Sequence, residues 1–330
     1  MKAVKVPLKD AEGARMELAS LNIIAREYAL AQDKGFLFIP VKADVKGYEV
    51  VDKDLQKYEK EEGTLLEALK GKLSEKELEK VPRAFDTVGD IAIVEINEAL
   101  KGKEKLIGET LLRIHKNINV VAKKSGFYEG EFRTRKVEVI AGEERKTTEH
   151  KENNVRLRLN VETCYFSPRL GTERRRVYEQ VKKGERVLVM FSGVGPYPLS
   201  ISKNTEAKDI VGVEINPYCH KHALENVLIN DARNVKLYLG DVKEVVPKLG
   251  KFDRILMPLP KSAEEFLDTA LLVAKKGTVV HFYDFEHEND IPKASVDKVV
   301  KHWKEAKVLE VVKCGQYSPG KFRVCVDFEV

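Results

Sequence analysis

Two glycines, Gly193 and Gly195, follow an apolar run from Val187 to Phe191. Large and β-branched apolar residues stopped by glycines predict a buried parallel strand ending in a tight loop. Without a Cβ the backbone can come close to a ligand, and open α/β sheets bind ligands at the carboxyl ends of their strands. An ordinary strand-to-helix turn would carry the same glycines. Glu214 closes a second apolar run, Asp209 to Ile215. An acid there, roughly 20 residues past the glycine loop, suits ribose hydroxyls. A third run, Val235 to Asp241, ends in Gly240-Asp241, and its carboxylate is placed to accept from an adenine amino group. The fourth, Phe252 to Met257, stops at Pro258-Leu259-Pro260. Nothing completes Gly-x-Gly-x-x-Gly, which argues against a nicotinamide dinucleotide.

Four strands with a helical stretch from Tyr218 to Asn230 between the second and third predict an α/β fold with a mostly parallel sheet. A glycine loop, a ribose acid, Gly-Asp and a proline-rich turn, each at a strand end, resemble a class I methyltransferase, a Rossmann-like fold that binds S-adenosylmethionine.

The 330 residues are enough for two or three domains. A hydrophobic content of 43% supports real cores, and a net charge of +5 permits a nucleic-acid partner without demanding one. Cys164, Cys219, Cys314 and Cys325 form no Cys-x-x-Cys pair, which argues against a zinc site and for a reducing, cytoplasmic setting. No apolar run approaches the roughly 18 residues of a membrane span, and the N-terminus has no apolar signal core.

The organisation expected is a small N-terminal α/β domain over 1–60, a linker helix and middle α/β domain over 61–154, and the catalytic domain over 155–330. In the first, a helix over Ala11 to Gln32 precedes strands at Phe36 to Val41 and Tyr48 to Val51. Leu65, Leu66 and Leu69 make the buried stripe of the linker helix. A turn and strand over Ala84 to Ile96, a helix over Gly102 to Lys116, and strands at Val120 to Lys124 and Phe132 to Ala141 build the middle domain. His115 reads as packed or capping. Arg133 and Arg135 share a strand face with Val137 and Val139, a pattern that fits a phosphate or base contact and equally an exposed strand start. Val155 to Val161 alternates as a strand. Thr172 is placed to cap a helix, and Glu173 then reads as a first-turn acid complementing the dipole.

Three segments, Ala84 to Ala92, Tyr165 to Arg174 and Met190 to Pro196, give the whole chain a resemblance to the tRNA (guanine-37, N1)-methyltransferases of archaea and eukaryotes. The second segment is specific, because methyltransferases in general lack it. The resemblance implies a small N-terminal domain that meets the tRNA body, a middle α/β domain, and a C-terminal domain with a mostly parallel seven-stranded sheet. It implies an enzyme that works as a monomer on the tRNA anticodon stem-loop and body, without a metal. Guanine N1 must lose its proton as it is methylated, and negative charge then builds on O6. By position in the family motif Glu173 is the base and Arg133 the O6 partner. Arg174 supports the pocket, Tyr165 packs against the base or methyl group, and Pro258 and Pro260 shape the base site. Gly193 and Gly195 approach the methionine part, Glu214 the ribose and Asp241 the adenine. Phe191, Pro196, Tyr197, Ile215 and Val242 complete the cofactor walls.

The chain departs from the family pattern twice. Val189 stands where members often carry an acid before Met-Phe, and Pro258 stands where an Asn often begins the fourth motif. Proline lacks the amide, so one polar contact to the target base is lost. A pocket so altered suits a larger ring, and some archaeal relatives also methylate carbon 7 of 4-demethylwyosine at the same position, a step of wyosine biosynthesis. Competing readings are a methyltransferase for another RNA base or for protein, a non-catalytic RNA-binding protein on the same fold, and a nucleotide-dependent dehydrogenase.

Overall fold

The structure, a computed structural model, describes residues 1–25, 27–57, 63–130, 132 and 134–330, with the backbone alone at 127–129. Arg133, the expected O6 partner, lies outside the described residues. The chain forms two compact units, Met1–Ser74 and Glu75–Val330.

The first unit holds β1 (Lys2–Pro7), α1 (Ala11–Ser20), β2 (Ala31–Asp33), β3 (Phe36–Pro40), β4 (Glu49–Asp52) and α2 (Leu65–Leu69). Its antiparallel sheet has the order β2-β3-β1-β4 and buries Val4, Val6 and Ile39 against Leu18 of the helix. The helix stops at Ser20 rather than running to Gln32. Asn22 takes φ 53°, a left-handed conformation that Asn tolerates and a helix cannot continue through. Thr64 and Glu67 form a reciprocal capping box at the start of α2, which buries Leu65 and Leu69. The expected linker helix is therefore two short helices, α2 here and α3 (Glu75–Leu78) in the second unit.

The second unit continues with β5 (Asp86–Val88), β6 (Ile91–Val94), α4 (Glu104–Ile114), β7 (Val120–Glu129) and β8 (Thr134–Gly142). They make a sheet of order β5-β6-β7-β8, in which only β6 and β7 run parallel. The segment Ala84 to Ile96, expected as a turn joined to one strand, is thus a hairpin whose second strand is the expected apolar one. Ile107 and Leu111 of α4 are buried, and His115 ends that helix with its ring 5.2 Å from Phe85. Next, β9 (Thr147–Glu152) and β10 (Val155–Asn160) pair across Asn153 and Asn154. Both asparagines have positive φ, 44° and 64°, as a tight hairpin turn requires.

The C-terminal part follows as α5 (Gly171–Tyr178), β11 (Arg186–Met190), α6 (Pro196–Asn204), β12 (Asp209–Glu214), α7 (Pro217–Ile229), β13 (Val235–Leu239), α8 (Val242–Val245), β14 (Phe252–Met257), α9 (Leu267–Leu272), β15 (Ala274–His287), α10 (Lys293–His302), β16 (Lys307–Ser318) and β17 (Lys321–Glu329). The seven strands lie in the order β13-β12-β11-β14-β15-β17-β16. The first five are parallel and β17 is antiparallel to both neighbours. This is the class I methyltransferase fold. Consecutive residues of the central strands face opposite cores: Leu188, Ile255 and Phe282 on one side, Val187, Leu256 and Tyr283 on the other. No described helix is long and apolar enough to cross a membrane.

Candidate active site

The carboxyl end of β11 turns sharply. Phe191 takes φ 57°, rare for a bulky residue and a form of strain that concentrates at functional loops. Gly193 and Gly195 follow with φ of 57° and 89°. A Cβ on Gly193 would meet nothing closer than the Tyr165 carbonyl oxygen at 4.0 Å, so the loop backbone borders open space. Pro196 opens α6 directly after Gly195, where its missing N–H costs no helical bond.

Glu214 ties this loop to the end of β12. Its Oε2 accepts from the Gly193 N–H at 2.7 Å and its Oε1 from the Asn216 N–H at 2.8 Å. Burial raises this carboxyl above the usual range, and the backbone donors offset only part of that. Each oxygen keeps lone-pair capacity for a ligand hydroxyl. Ile215 is half-buried, and Asn216 caps α7 through the Tyr218 N–H at 3.0 Å. Asp241, at the end of the next strand, spends Oδ1 on capping α8 through the Lys243 N–H at 2.8 Å. Leu239 beside it is an exposed apolar residue. Open backbone at Gly193, an acid at the loop and apolar surface at the end of β13 fit an adenosyl ligand.

Two expected wall residues do not stand at this surface. Val242 and Tyr197 are only 3% and 4% exposed and pack into the two cores. The reason is helical phase: each sits in the first turn of a helix on the side facing the sheet. Phe191 is half-buried with its ring 4.9 Å from that of Phe266. Pro258 is half-buried and Pro260 buried in the turn after β14, where the Leu259 N–H bonds back to the Met257 carbonyl at 2.8 Å.

The segment from Tyr165 to Arg174 crosses close to the glycine loop. Thr172 lies inside α5 and makes no cap, since the helix already begins at Gly171. Glu173 is buried. Arg176, one turn on, donates Nε to its Oε2 and Nη2 to its Oε1, both at 2.8 Å. The Tyr283 hydroxyl donates to Oε1 at 2.6 Å, and Tyr197 lies 2.9 Å from that hydroxyl. Oε1 therefore carries two donors and Oε2 one.

Arg174 points elsewhere. It is 2% exposed, binds Glu152 in a fork at 2.5 and 2.6 Å, and lies over the rings of Phe166 and Tyr197. Burial alone would raise the Glu152 carboxyl, but His150 and Arg174 outweigh it and hold it below the usual range. Tyr165 is 39% exposed, with its hydroxyl 3.3 Å from Arg323 Nη2. Arg135 turns into a small cavity of about 20 Å³ with Val88, Leu159 and Phe166.

Sequence reasoning missed the buried ion network behind Glu173. Arg176 Nη1 donates to Asp327 Oδ2 at 2.6 Å, and His281 Nδ1 lies 2.7 Å from Asp327 Oδ1. His281 Nε2 faces Arg254 Nη1 at 2.8 Å, and Arg254 pairs with Glu185. Arg254 is always a donor, so Nε2 accepts and Nδ1 carries the proton toward Asp327. Burial would raise the Asp327 carboxyl, but His281 and Arg176 hold it far below the usual range. His281, Cys325 and Asp327 lie within 4.8 Å of one another. Two guanidinium groups against them make this a poor cation site. The only local hint in the sequence is the run Arg174-Arg175-Arg176.

Residues 148–312 match the TRM5/TYW2 methyltransferase domain, 65–146 the TYW2 N-terminal domain, and 3–49 the tRNA methyltransferase 5 N-terminal domain. The chain is 39% identical to the tRNA (guanine(37)-N(1))-methyltransferase Trm5b of Pyrococcus abyssi, over 99% of this chain and 98% of that one. The crystal structure of that Trm5b superposes with a TM-score of 0.78 at 38% identity, covering 100% and 99% of the two chains. A solved complex of aTrm5 and tRNALeu gives a TM-score of 0.78 at 29% identity, with 100% of each chain covered. The tRNA (guanine(37)-N(1))/4-demethylwyosine(37)-methyltransferase Taw22 of Nanoarchaeum equitans is 28% identical over 74% of this chain and 98% of its own. Likeness that runs through the N-terminal segments as well as the sheet goes beyond a shared fold, and the chain belongs to the TRM5/TYW2 methyltransferase family.

Proposed function

We propose that this protein transfers a methyl group from S-adenosylmethionine to N1 of guanosine 37 of tRNA, with Glu173 as the base. The observation that carries the residue assignment is the Glu173 carboxylate beside Tyr283, at the strand-end edge of the sheet, with Oε2 less fully engaged than Oε1. The full-length likeness to Trm5b of Pyrococcus abyssi supports the choice of substrate.

S-adenosylmethionine supplies a methyl group already activated on a sulfonium. Gly193, with open backbone, and Gly195 beside it would receive its methionine part. Glu214 would accept from the ribose hydroxyls, Asp241 from the adenine amine, and Phe191, Pro196 and Ile215 would line the site. Glu173 Oε2 takes the N1 proton as that nitrogen is alkylated. Arg176 and Tyr283 hold the carboxylate in place, which spares reorganisation during the reaction. Arg133 is assigned to O6 by its motif position. Arg174, locked on Glu152, supports the segment that carries Glu173, and Tyr165 faces the base. Pro258 and Pro260 shape the base site. We assign tRNA-body recognition to 1–60, the middle domain to 61–154 and catalysis to 155–330, in a cytoplasmic monomer.

Glu173→Gln tests this reading. It keeps the shape of the side chain and removes the basic oxygen. We expect cofactor affinity within twofold of wild type and a loss of turnover of roughly 10²–10⁴-fold. Unchanged turnover removes Glu173 as the base. Pro258, which offers no amide to the target base, favours a second activity on carbon 7 of 4-demethylwyosine, the substrate in the name of the Nanoarchaeum equitans relative. Full activity on guanosine with none on the tricyclic base rejects it.

A further inference from the structure

Side chains of alternate residues share one face of a strand. On β15, Tyr283 and Phe285 therefore share the face that meets Glu173. On β17, Cys325 and Arg323 stand opposite them, Tyr283 against Cys325 and Phe285 against Arg323. Phe285 and Arg323 form the next row out from the Glu173 contact, toward the strand end.

That row is built as a platform. The Arg323 guanidinium lies 5.3 Å over the Phe285 ring, and the Phe285 ring is 4.2 Å from that of Tyr317 with a 36° tilt. Tyr317, near the end of β16, is 64% exposed. Arg323 Nη2 donates to the Tyr165 hydroxyl at 3.3 Å. Its Nε is buried and has no hydrogen-bond partner among the described residues. The Tyr165 carbonyl in turn borders Gly193. A continuous surface of Tyr317, Phe285, Arg323 and Tyr165 thus runs from the sheet edge to the cofactor loop.

We propose that this surface binds the nucleotide adjacent to the methylated one, with Tyr317 stacked on its base and Arg323 on its phosphate. The inference rests on the proposed RNA substrate. An enzyme that reacts at a ring nitrogen must take the target base out of the stack. The neighbouring base then loses a stacking partner, and an exposed aromatic ring replaces it. The guanidinium carbon lies over the Phe285 ring, and its terminal Nη groups can donate to phosphate oxygens.

The test is a mutant cycle on the full chain. The probes are a tRNA transcript with guanosine 37 and two versions of it, abasic at position 36 or at position 38. Tyr317→Ala should raise KM for the intact transcript about tenfold, with cofactor Kd within twofold of wild type and Tyr317→Phe near wild type. One of the two abasic transcripts should bind wild type more weakly and show little further loss with Tyr317→Ala. Arg323→Gln should weaken binding of all three transcripts and flatten the salt dependence of affinity by about one unit of slope. An unchanged KM for Tyr317→Ala overturns the proposal, as does an equal loss on the intact and both abasic transcripts. Tyr317 is exposed, so a folding defect does not obscure the result, and a melting curve confirms it. Failure of wild type to bind or methylate the intact transcript counts instead against the proposed function.

Discussion

Arg176 grips both carboxylate oxygens of Glu173, each at 2.8 Å, and donates Nη1 to Asp327 on β17. One guanidinium therefore couples the helix that carries the proposed base to the antiparallel strand of the sheet. The fork geometry matches a carboxylate in a way that the point charge of lysine does not.

Arg176→Lys should keep the fold and lower turnover by about tenfold or more, because displacement of the base by an ångström costs heavily in rate. Cofactor affinity should stay within twofold. Single-turnover methyl transfer beside cofactor titration checks this. Equal losses in both would mean that Arg176 only holds the domain together.

Glu214 should impose a pH dependence on cofactor binding. Burial places its carboxyl above the usual range, and only the ionised form accepts two hydroxyl donors. Affinity for S-adenosylmethionine should therefore begin to fall as pH drops while still above about 4.3, the value of an ordinary glutamate. Glu214→Gln should bind more weakly at neutral pH and lose that dependence. Calorimetric titrations of the two proteins across the range decide it. Parallel pH curves would contradict the role.

Asp327 should contribute stability at neutral pH. Its folded carboxyl lies far below the usual range, while an unfolded aspartate sits near 3.9. The contribution is thus complete above about pH 4 and is lost as pH falls from there toward the folded value. Asp327→Asn leaves Arg176 and His281 without their buried partner and should destabilise by about 3–5 kcal/mol at pH 7. The gap between variant and wild type should narrow in acid. Urea unfolding at both pH values measures it, and equal stability at pH 7 would contradict it.

The parts legible in the sequence are those written in local pattern. The apolar runs and their terminal glycines and acids located β11 to β14, and the link between Gly193 and Glu214 closes between the ends of neighbouring strands. The Tyr165 to Arg174 segment carried the family likeness. What stayed hidden depends on partners far apart in the chain. Arg176 meets Asp327 across 151 positions and Glu173 meets Tyr283 across 110, and no periodicity encodes such a pairing. Core facing was equally hidden for Tyr197 and Val242, since helix phase decides it. The helix over Ala11 to Gln32 was overdrawn because its apolar spacing persists past Asn22, where the backbone turns left-handed.

The most direct test of the central claim is methyl transfer from labelled S-adenosylmethionine to a tRNA transcript with guanosine 37, beside the same transcript carrying adenosine there. The account predicts label at N1 of guanosine 37 and none on the adenosine control. Equal label on both transcripts, or none on either with cofactor bound, would contradict it.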